Sequence, residues 1–430
     1  MSGLPQHSDV VIVGGGAAGL AAARQLTGAG VDVVLLEAGN RLGGRIVTDT
    51  VDGFRLDRGF QVINTAYPAL PDFAGLDQLD LRFFDHGVLL AGEHGRQLLV
   101  DPRRQHDLAA LRQLAALRRL PVPLTGLARL AALSARLGYR DPRSLLAEPE
   151  TTAASYLSRY IGEPAMRALA EPFLTGVFGY APLLTSSRVL TMFWRAFVRG
   201  RIGVPAAGMQ RLTEVLAAPL PPDRLYLNTP VTRIDGQQVH TADGTVRARA
   251  VLVAADPGAA ALLLPGLPVP EQRILVTTYH ACGEPPVHRP VLLLDGTGRS
   301  GIANSIVLTL AAPGYAPAGR HLVATTAPAQ AELSEPAIRR QLALLYGQPT
   351  ADWEHVATVR AEPGLVAAPP VQGRLRKPVR LGGGLFVAGD HRDTPSLQGA
   401  LVSGRRAARA VLYELGAGGT GGTGGPGLDR

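Results

Sequence analysis

Hydrophobic positions along the chain occur both in short continuous runs and at three- and four-residue spacing, which predicts strands mixed with helices. Four β-branched residues, Val10 to Val13, form a run that is typical of a strand buried on both faces. Glycines and then an alanine-rich stretch follow, which predicts a turn and a helix over Leu20 to Leu26. The next run, VDVVLLE, predicts a second strand that ends in Glu37. This order of strand, helix and strand favours a parallel α/β sheet.

The glycines between the first predicted strand and helix have a spacing with chemical meaning. Gly14, Gly16 and Gly19 fit the pattern G-x-G-x-x-G. In that pattern the first glycine makes the tight turn, the second admits a pyrophosphate and the third lets helix and strand pack closely. Glu37 follows roughly twenty residues later, where a carboxylate accepts hydrogen bonds from both ribose hydroxyls. The combination predicts a dinucleotide site, whereas the glycine spacing alone is also compatible with a turn that binds no ligand.

The residues from Glu37 onward resemble the superfamily of flavin-dependent amine oxidases, phytoene desaturases and protoporphyrinogen oxidases. That family has E-A-x-x-R-x-G-G-R followed by G-x-x-x-D-x-G in this part of the chain. The matching positions are Glu37, Ala38, Arg41, Gly43, Gly44 and Arg45, then Gly53, Asp57 and Gly59. Arg45 can offer a charge-assisted fork to a pyrophosphate, and a surface salt bridge is the alternative role for this side chain.

The resemblance returns at the other end of the chain, in residues 384–412. It implies a strand, then Gly389 and Asp390, and then a helix whose first turn meets the isoalloxazine ring of a flavin. Asp390 would hold a ribityl hydroxyl, and the amides near Ala400 and Leu401 would face the pyrimidine edge. The alternative for Asp390 is a turn or cap residue, because Gly-Asp is common in turns.

The resemblance therefore implies a Rossmann-like FAD-binding domain of the glutathione-reductase type, interleaved with an α+β substrate domain, and FAD as the cofactor. The implied cofactor contacts are Gly14, Gly16, Ala18, Gly19, Glu37, Ala38, Arg41, Gly43, Gly44, Arg45, Gly59, Phe60, Val231, Gly389, Asp390, Ala400 and Leu401. Val231 is implied to lie beside the adenine. His391 is the candidate catalytic residue, either as a proton relay or as a hydrogen-bonding group that locks the turn. No metal site is predicted.

The resemblance also divides the chain into alternating pieces. The FAD-binding domain takes residues 1–100, 205–265 and 375–415, and the substrate domain takes 101–204 and 266–374 with a helical subdomain. From their glycine-rich composition, residues 416–430 are expected to be a flexible tail. Short strands are expected in 224–257, with turns at Asp235 and Asp243, and again in 275–326 and 380–390.

Leucines at helical spacing predict helices from about Asp101 to Pro205, including LAALRQLAALRRL and LTGLARLAALSARLG. Arginines occupy the opposite face of these helices. A solvated face over a core is the favoured interpretation, and a basic amphipathic surface that contacts a membrane is the alternative.

Composition excludes several classes of protein. The formal net charge is +8, but Lys377 is the only lysine and the arginines are scattered, so no nucleic-acid partner is expected. Cys282 is the only cysteine, which excludes disulfide reductases and fits a reducing, cytoplasmic location. We expect neither a signal peptide nor a membrane-spanning segment. No second glycine turn of this kind follows a strand, so the electron acceptor is expected to be oxygen, a quinone or another carrier rather than a nicotinamide.

Three functions remain open for this sequence. Amine-oxidising members of the superfamily pair a lysine near the flavin with two aromatic rings, and neither feature is evident here. Residues 171–200 are instead aromatic and apolar, and either pack as core or line a hydrophobic cavity. We therefore expect a dehydrogenase or desaturase that removes a hydride from a polyene-like substrate. The alternatives are an amine oxidase with an atypical active site and a non-catalytic carrier on the same fold.

Overall fold

The computed structural model describes residues 3–73, 75, 77–93, 95–100, 122–371 and 375–416. Two large sheets organise this part of the chain, and the predicted α/β class is confirmed. The predicted elements at the start of the chain are present with longer bounds. The first strand is His7–Val13 and the first helix is Ala17–Gly28, while the second strand is Val33–Leu36, so that Glu37 directly follows it.

The eight-stranded sheet, called the first sheet below, has a parallel centre. Its strands are His7–Val13, Val33–Leu36, Leu225–Tyr226, Val231–Asp235, Gln238–Thr241, Gly244–Val253, Arg380–Gly382 and Leu385–Val387. Val33–Leu36 and Gly244–Val253 pair in parallel with opposite sides of His7–Val13. The last strand, Leu385–Val387, continues the parallel pairing, so segments from both ends of the chain lie in one sheet.

Two helices from opposite ends of the chain pack against each other on the first sheet. These are the first helix, Ala17–Gly28, and the last helix, Leu397–Glu414. A Cβ atom on Gly404 would lie 2.2 Å from the carbonyl oxygen of Ala18, so only glycine permits this approach. Both helices bury their apolar sides in one core with Gln210–Ala217. The first and last helices of the described chain are thereby held together.

The seven-stranded sheet, called the second sheet below, is largely antiparallel. Its strands are Gly87–Gly92, Gly95–Val100, Leu275–Cys282, Leu292–Asp295, Asn304–Val307, His321–Pro328 and Glu354–Arg360. Helix Glu335–Tyr346 packs on one of its faces. The strands at 87–100 pair with Leu292–Asp295 in this sheet, although the sequence analysis assigned 1–100 to the FAD-binding domain. The domain boundaries themselves stay a prediction.

The helical part follows strand Gly95–Val100 along the chain and precedes strand Ile202–Pro205. Its helices are Leu124–Tyr139, Pro142–Leu146, Ala153–Ile161, Glu163–Ala165, Glu171–Phe178 and Ser187–Arg199, with a π-helical turn at Met166–Ala170. Leu133 and Leu137 are buried while Arg129 and Arg140 are exposed, as expected for a solvated face over a core. The stretch LAALRQLAALRRL lies outside the described residues. Within the described ranges, no helix is both long and apolar enough to span a bilayer.

The predicted helical stretch was wrong at its end. Ile202–Pro205 is a strand that pairs with Ile63–Asn64 and Leu81–Phe83, because its buried face completes a small three-stranded sheet. Two further strand pairs are Thr48–Val51 with Phe54–Asp57 and Gln272–Arg273 with Leu365–Val366. The remaining α-helices are Leu70–Phe73 and Pro257–Leu263. Single turns of 3₁₀ helix occur at Asp77–Leu79, Pro182–Leu184, Pro222–Arg224, Leu308–Leu310, Pro313–Tyr315, Ala329–Ala331 and Asp390–Arg392.

Candidate cofactor and active site

The candidate site lies at the carboxyl edge of the first sheet. Four parallel strands end there, and Gly14, Glu37, Ala254 and Gly389 are at or near their carboxyl ends. In open α/β sheets the crevice at this edge is where ligands bind. The two sequence motifs, which are far apart in the chain, therefore meet at one place.

The three glycines of the first turn have distinct roles. Gly14 has φ +107°, and a Cβ there would lie 2.8 Å from the carbonyl oxygen of Ala254. A Cβ on Gly19 would lie 2.0 Å from the carbonyl oxygen of Gly14, which confirms that this glycine serves close packing of the helix. A Cβ on Gly16 would meet nothing nearer than the carbonyl oxygen of Gly43, at 4.0 Å. Gly16 therefore faces open space, the property that a phosphate-binding turn requires.

The first helix begins at this open space. Gly16 is its N-cap, no side chain caps it, and its first turn contains no acidic residue. The amides of Ala17 and Ala18 precede the first intrahelical hydrogen bond, which Leu20 donates to Gly16. Amides at a helix N-terminus carry partial positive charge and suit an anion.

Glu37 connects the glycine turn to the neighbouring loop. Its two carboxylate oxygens each accept one backbone amide, from Gly15 and from Gly39, both at 2.7 Å. Because a carboxylate offers about four acceptor positions, two remain for hydroxyl groups. Thr229 donates its amide to the backbone carbonyl oxygen of Glu37 at 2.9 Å, so the strand that begins at Val231 starts close to this residue.

The paired glycines of the second motif lie against the first turn. Gly43 donates its amide to the carbonyl oxygen of Gly15 at 2.9 Å, and Gly44 approaches Gly16 from the same side. Ala38 is exposed beside this junction. Arg41 points to Thr48 and forms an ion pair with Asp49, so its contact with a cofactor stays a prediction.

Arg45 joins the two halves of the site. Its Nη2 lies 2.7 Å from Oδ2 of Asp390, whose side chain is 7% exposed, while the Arg45 side chain is 32% exposed. Its Nη1 donates to the carbonyl oxygen of Gly364 at 3.3 Å. The carboxylate of Asp390 raises the pKa of the Arg45 guanidinium, so this side chain carries a permanent positive charge. The sequence predicted both residues as cofactor contacts but did not predict that they contact each other.

Gly59 and Phe60 lie where the cofactor side meets the second sheet. Phe60 donates its amide to Oγ1 of Thr277 at 3.3 Å. Its ring is half-buried and packs edge to face against Phe84, with ring centroids 6.1 Å apart. Gln61 donates from Nε2 to the carbonyl oxygen of Arg45 at 2.8 Å. Residues 59–61 therefore connect Arg45 to the second sheet.

The C-terminal turn is tied to the last helix by a serine that sequence reasoning missed. The amide of Gly389 donates to Oγ of Ser403 at 3.0 Å, and Ser403 donates to the carbonyl oxygen of Ala400 at 2.9 Å. Ser403 has no exposed surface. The signal available in the sequence was a small hydroxyl residue, Ser403, nearly two turns into a helix whose neighbouring positions Ala400 and Ala407 are apolar.

The predicted amide donors of the last helix need correction. Ala400 donates its amide to the carbonyl oxygen of Ser396 at 2.9 Å, and Leu401 is fully buried one position further into the helix. Ser396 is the N-cap and accepts the amide of Gly399. In a helix that begins at Leu397, the amides of Leu397 and Gln398 are the ones that precede the first intrahelical bond. Both residues are half-buried and can present these amides to a ligand.

His391 lies inside the turn rather than on an open surface. It is 3% exposed, and neither ring nitrogen has a hydrogen-bond partner among the described residues. Burial lowers the pKa of His391 to about 4, so its imidazole is neutral at pH 7. The expected hydrogen bond that would lock the turn is therefore absent from the described part of the chain. Its role as a proton relay stays a prediction, and the burial of both nitrogens argues for a packing role.

The residues present fit FAD. The open space over Gly16 and the uncapped helix N-terminus suit a pyrophosphate, and Glu37 keeps acceptor positions for ribose hydroxyls. Arg45 and Asp390 add a cation and a carboxylate at the junction of the two motifs. When FAD is bound, these groups would hold its phosphates and hydroxyls.

Comparisons with known proteins identify the family to which the chain is similar. The sequence model of the flavin containing amine oxidoreductases matches residues 17–412. The chain is 30% identical to putrescine oxidase from Kocuria rosea over 335 residues, which are 67% of each chain. It is 57% identical to carotenoid 3,4-desaturase from Haloarcula japonica over 51 residues, 12% of this chain and 10% of that protein.

The fold is also similar to solved structures. A structure described as a protoporphyrinogen oxidase from Exiguobacterium sp. 255-15 superposes with a TM-score of 0.71 at 20% identity. The superposition covers 96% of this chain and 100% of that one. At this identity the similarity supports the fold, and the site residues above carry the argument for function.

Proposed function

The chain belongs to the family of flavin-containing amine oxidoreductases, and within that family we propose that it oxidises a C–H bond of a hydrophobic, polyene-like substrate. It is an FAD-dependent oxidoreductase, and the bound flavin supplies the hydride acceptor. The protein's own residues supply position, an apolar environment and exclusion of water. The choice of substrate class depends on the side chains that surround the flavin site.

The observation that carries the proposal is an apolar wall of aromatic side chains on two helices, Glu171–Phe178 and Ser187–Arg199. The ring of Phe173 packs edge to face against Phe197, with centroids 4.9 Å apart, and Phe178 packs against Phe193 at the same distance. Three of these four rings are half-buried rather than buried. Half-burial leaves part of the apolar surface of these rings uncovered, and a hydrophobic ligand could cover it, which supports a substrate wall here.

A chain of contacts connects this wall to Arg45. Arg45 donates to the carbonyl oxygen of Gly364, and a Cβ on Gly364 would lie 2.8 Å from the carbonyl oxygen of Arg273. The buried side chain of Arg273 reaches back to the carbonyl oxygen of Phe178, at 3.5 Å. These three contacts link Phe178, at one end of the aromatic wall, to Arg45, and this link supports a substrate wall next to the cofactor site.

Among the described residues, the C-terminal motif shows no pair of aromatic rings of the kind expected for amine oxidation. Lys377, the only lysine, lies near the C-terminal turn, where its backbone bonds to Arg392 and Arg406 and where burial, together with the charge of this lysine, lowers the pKa of His391. No aromatic residue occurs between Val387 and Leu412. A desolvated aromatic cage stabilises a cation by about 2 kcal/mol or more, and a site without one loses that contribution.

An apolar substrate needs no such group. Each Å² of apolar surface that it buries contributes roughly 25 cal/mol, so a long hydrocarbon can bind tightly through shape alone. Amine oxidation remains the second candidate, because 30% identity to a putrescine oxidase extends over two thirds of the chain.

Product analysis tests the proposal. The purified holoenzyme is incubated in air, and in parallel with a quinone, with two panels of compounds. One panel holds polyenes and their hydrogenated precursors together with porphyrinogens, and the other holds primary amines and polyamines. Mass spectrometry that finds loss of two hydrogen atoms from a polyene precursor supports the proposal. Aldehyde and ammonia formed from the amine panel alone would establish the second candidate instead.

A further inference from the structure

Asp57 is a buried carboxylate that the sequence analysis included only as part of a motif. It is 3% exposed. Its Oδ1 accepts from the hydroxyl of Thr48 at 2.5 Å and from the amide of Met209 at 2.9 Å. Its Oδ2 accepts from the hydroxyl of Tyr315 at 2.8 Å. Three donors from three separate segments therefore converge on one side chain that forms no ion pair among the described residues.

The backbone at Asp57 is held as firmly as its side chain. The carbonyl oxygen of Asp57 accepts from the hydroxyl of Tyr279 at 2.8 Å and from the amide of Gly59 at 2.7 Å. Three residues after Asp57, Phe60 donates its amide to Thr277. Thr277 and Tyr279 are two residues apart on one strand of the second sheet, so both side chains lie on the same face. This one strand therefore holds both ends of the turn 57–60.

We infer that Asp57 is a positioning residue for the cofactor: through Thr48, Met209, Tyr279 and Tyr315 it fixes the turn that presents Gly59 and Phe60 to FAD. The inference rests on the cofactor contacts of Gly59 and Phe60 that the family resemblance implies, and it is independent of the substrate. The second sheet acts on the flavin site through this turn.

The chemistry of a carboxylate suits this arrangement better than that of an amide. An ionised carboxylate accepts from all three donors, whereas an asparagine amide offers one oxygen and a competing NH₂ group. Burial raises the pKa of Asp57 to about 6, and the nearby charge of Asp49 acts in the same direction. The hydrogen bonds from Thr48, Met209 and Tyr315 lower this pKa and so partly oppose the effect of burial. Protonation would turn one acceptor into a donor among groups that already donate.

The test measures FAD affinity of the apoprotein, which needs no substrate. The variants are Asp57→Asn, Tyr315→Phe and Tyr279→Phe. Tyr346→Phe is the matched control, since Tyr346 is also buried and donates one hydrogen bond, to Oγ of Ser305 at 3.0 Å in the second sheet. If an Asp57 variant does not fold, the two conservative tyrosine variants decide the question.

We expect Asp57→Asn to raise the dissociation constant for FAD about tenfold at pH 7.5, and Tyr315→Phe and Tyr279→Phe to raise it about threefold. Tyr346→Phe should lower the melting temperature without changing FAD affinity. The affinity of the wild type should fall as the pH drops through about 6, while that of Asp57→Asn stays level over this range. Wild-type affinity in Asp57→Asn and both conservative variants, or an equal loss in Tyr346→Phe, would overturn the inference.

Discussion

The guanidinium of Arg45 and the carboxylate of Asp390 form an ion pair, with 2.7 Å between Nη2 and Oδ2. Arg45 follows the second strand of the chain, and Asp390 precedes the last helix. Each belongs to a motif that would be weak evidence alone. Their contact shows that the two motifs lie together at one place in the fold.

This contact gives the first prediction. Arg45→Gln should raise the dissociation constant for FAD roughly 10- to 150-fold, because it removes charge-assisted hydrogen bonds of about 1.5–3 kcal/mol. Apoprotein titration by quenching of flavin fluorescence measures this change. The matched control is Arg167→Gln, which breaks an exposed ion pair with Glu163 in the helical part and should leave the affinity unchanged. Equal affinities of Arg45→Gln and wild type would show that Arg45 has no contact with the cofactor.

Two glycines of the first turn should respond differently to alanine. At Gly16, φ is −77° and the space beside it is open, so Gly16→Ala should fold normally and bind FAD at least about tenfold more weakly. At Gly19 a Cβ would collide with backbone, so Gly19→Ala should lose stability and soluble yield. Thermal unfolding of the apoproteins and FAD titration separate the two effects. Normal FAD affinity in Gly16→Ala would show that no phosphate of FAD lies against this turn.

Glu37→Gln tests the ribose contact. Both oxygens of Glu37 accept backbone amides, from Gly15 and Gly39, and the NH₂ group of glutamine cannot accept either one. We expect FAD to bind more weakly by ~1.5–3 kcal/mol in equilibrium titration. Glu163→Gln on the exposed helical surface serves as the control. An unchanged dissociation constant would show that the second strand does not lead to the ribose.

His391 should make the protein sensitive to acid. Burial lowers its pKa from 6.5 to about 4 in the folded state. Below pH 6.5 the unfolded chain binds a proton that the folded protein does not, so stability is lost as the pH falls towards 4. The loss amounts to about 3 kcal/mol. His391→Gln should flatten the pH dependence of the unfolding midpoint between pH 6.5 and 4, and parallel curves for wild type and variant would contradict the burial of a neutral imidazole.

The local parts of this fold could be predicted from the sequence because the period of the hydrophobic positions and the spacing of the glycines depend on local structure. The β-branched run before Gly14 and the carboxylate at Glu37 lie within one strand-helix-strand unit, whose geometry is nearly fixed. The parallel pairing of Leu385–Val387 was accessible only through the family resemblance, since no local pattern specifies which strand becomes its neighbour.

Contacts between distant segments could not be predicted. Nothing in the sequence indicates that Arg45 contacts Asp390, or that Tyr279 and Tyr315 converge on Asp57. Ile202–Pro205 was missed for the same reason, because tertiary pairing with two short strands overrides the helical pattern before it. The free amides of the last helix are those of Leu397 and Gln398 rather than those predicted near Ala400 and Leu401, because the position of a helix cap depends on the loop before it.

The proposed oxidation of an apolar C–H bond is tested most directly by the flavin itself. The purified protein should be yellow, and it is mixed without oxygen with the polyene and porphyrinogen panel and, separately, with the amine panel. Stopped-flow absorbance then reports reduction of the flavin in a single half-reaction, whatever the natural electron acceptor. We expect bleaching by members of the hydrophobic panel and none by putrescine or other amines. Rapid bleaching by amines alone would contradict the proposal and make the protein an amine oxidase with an atypical site.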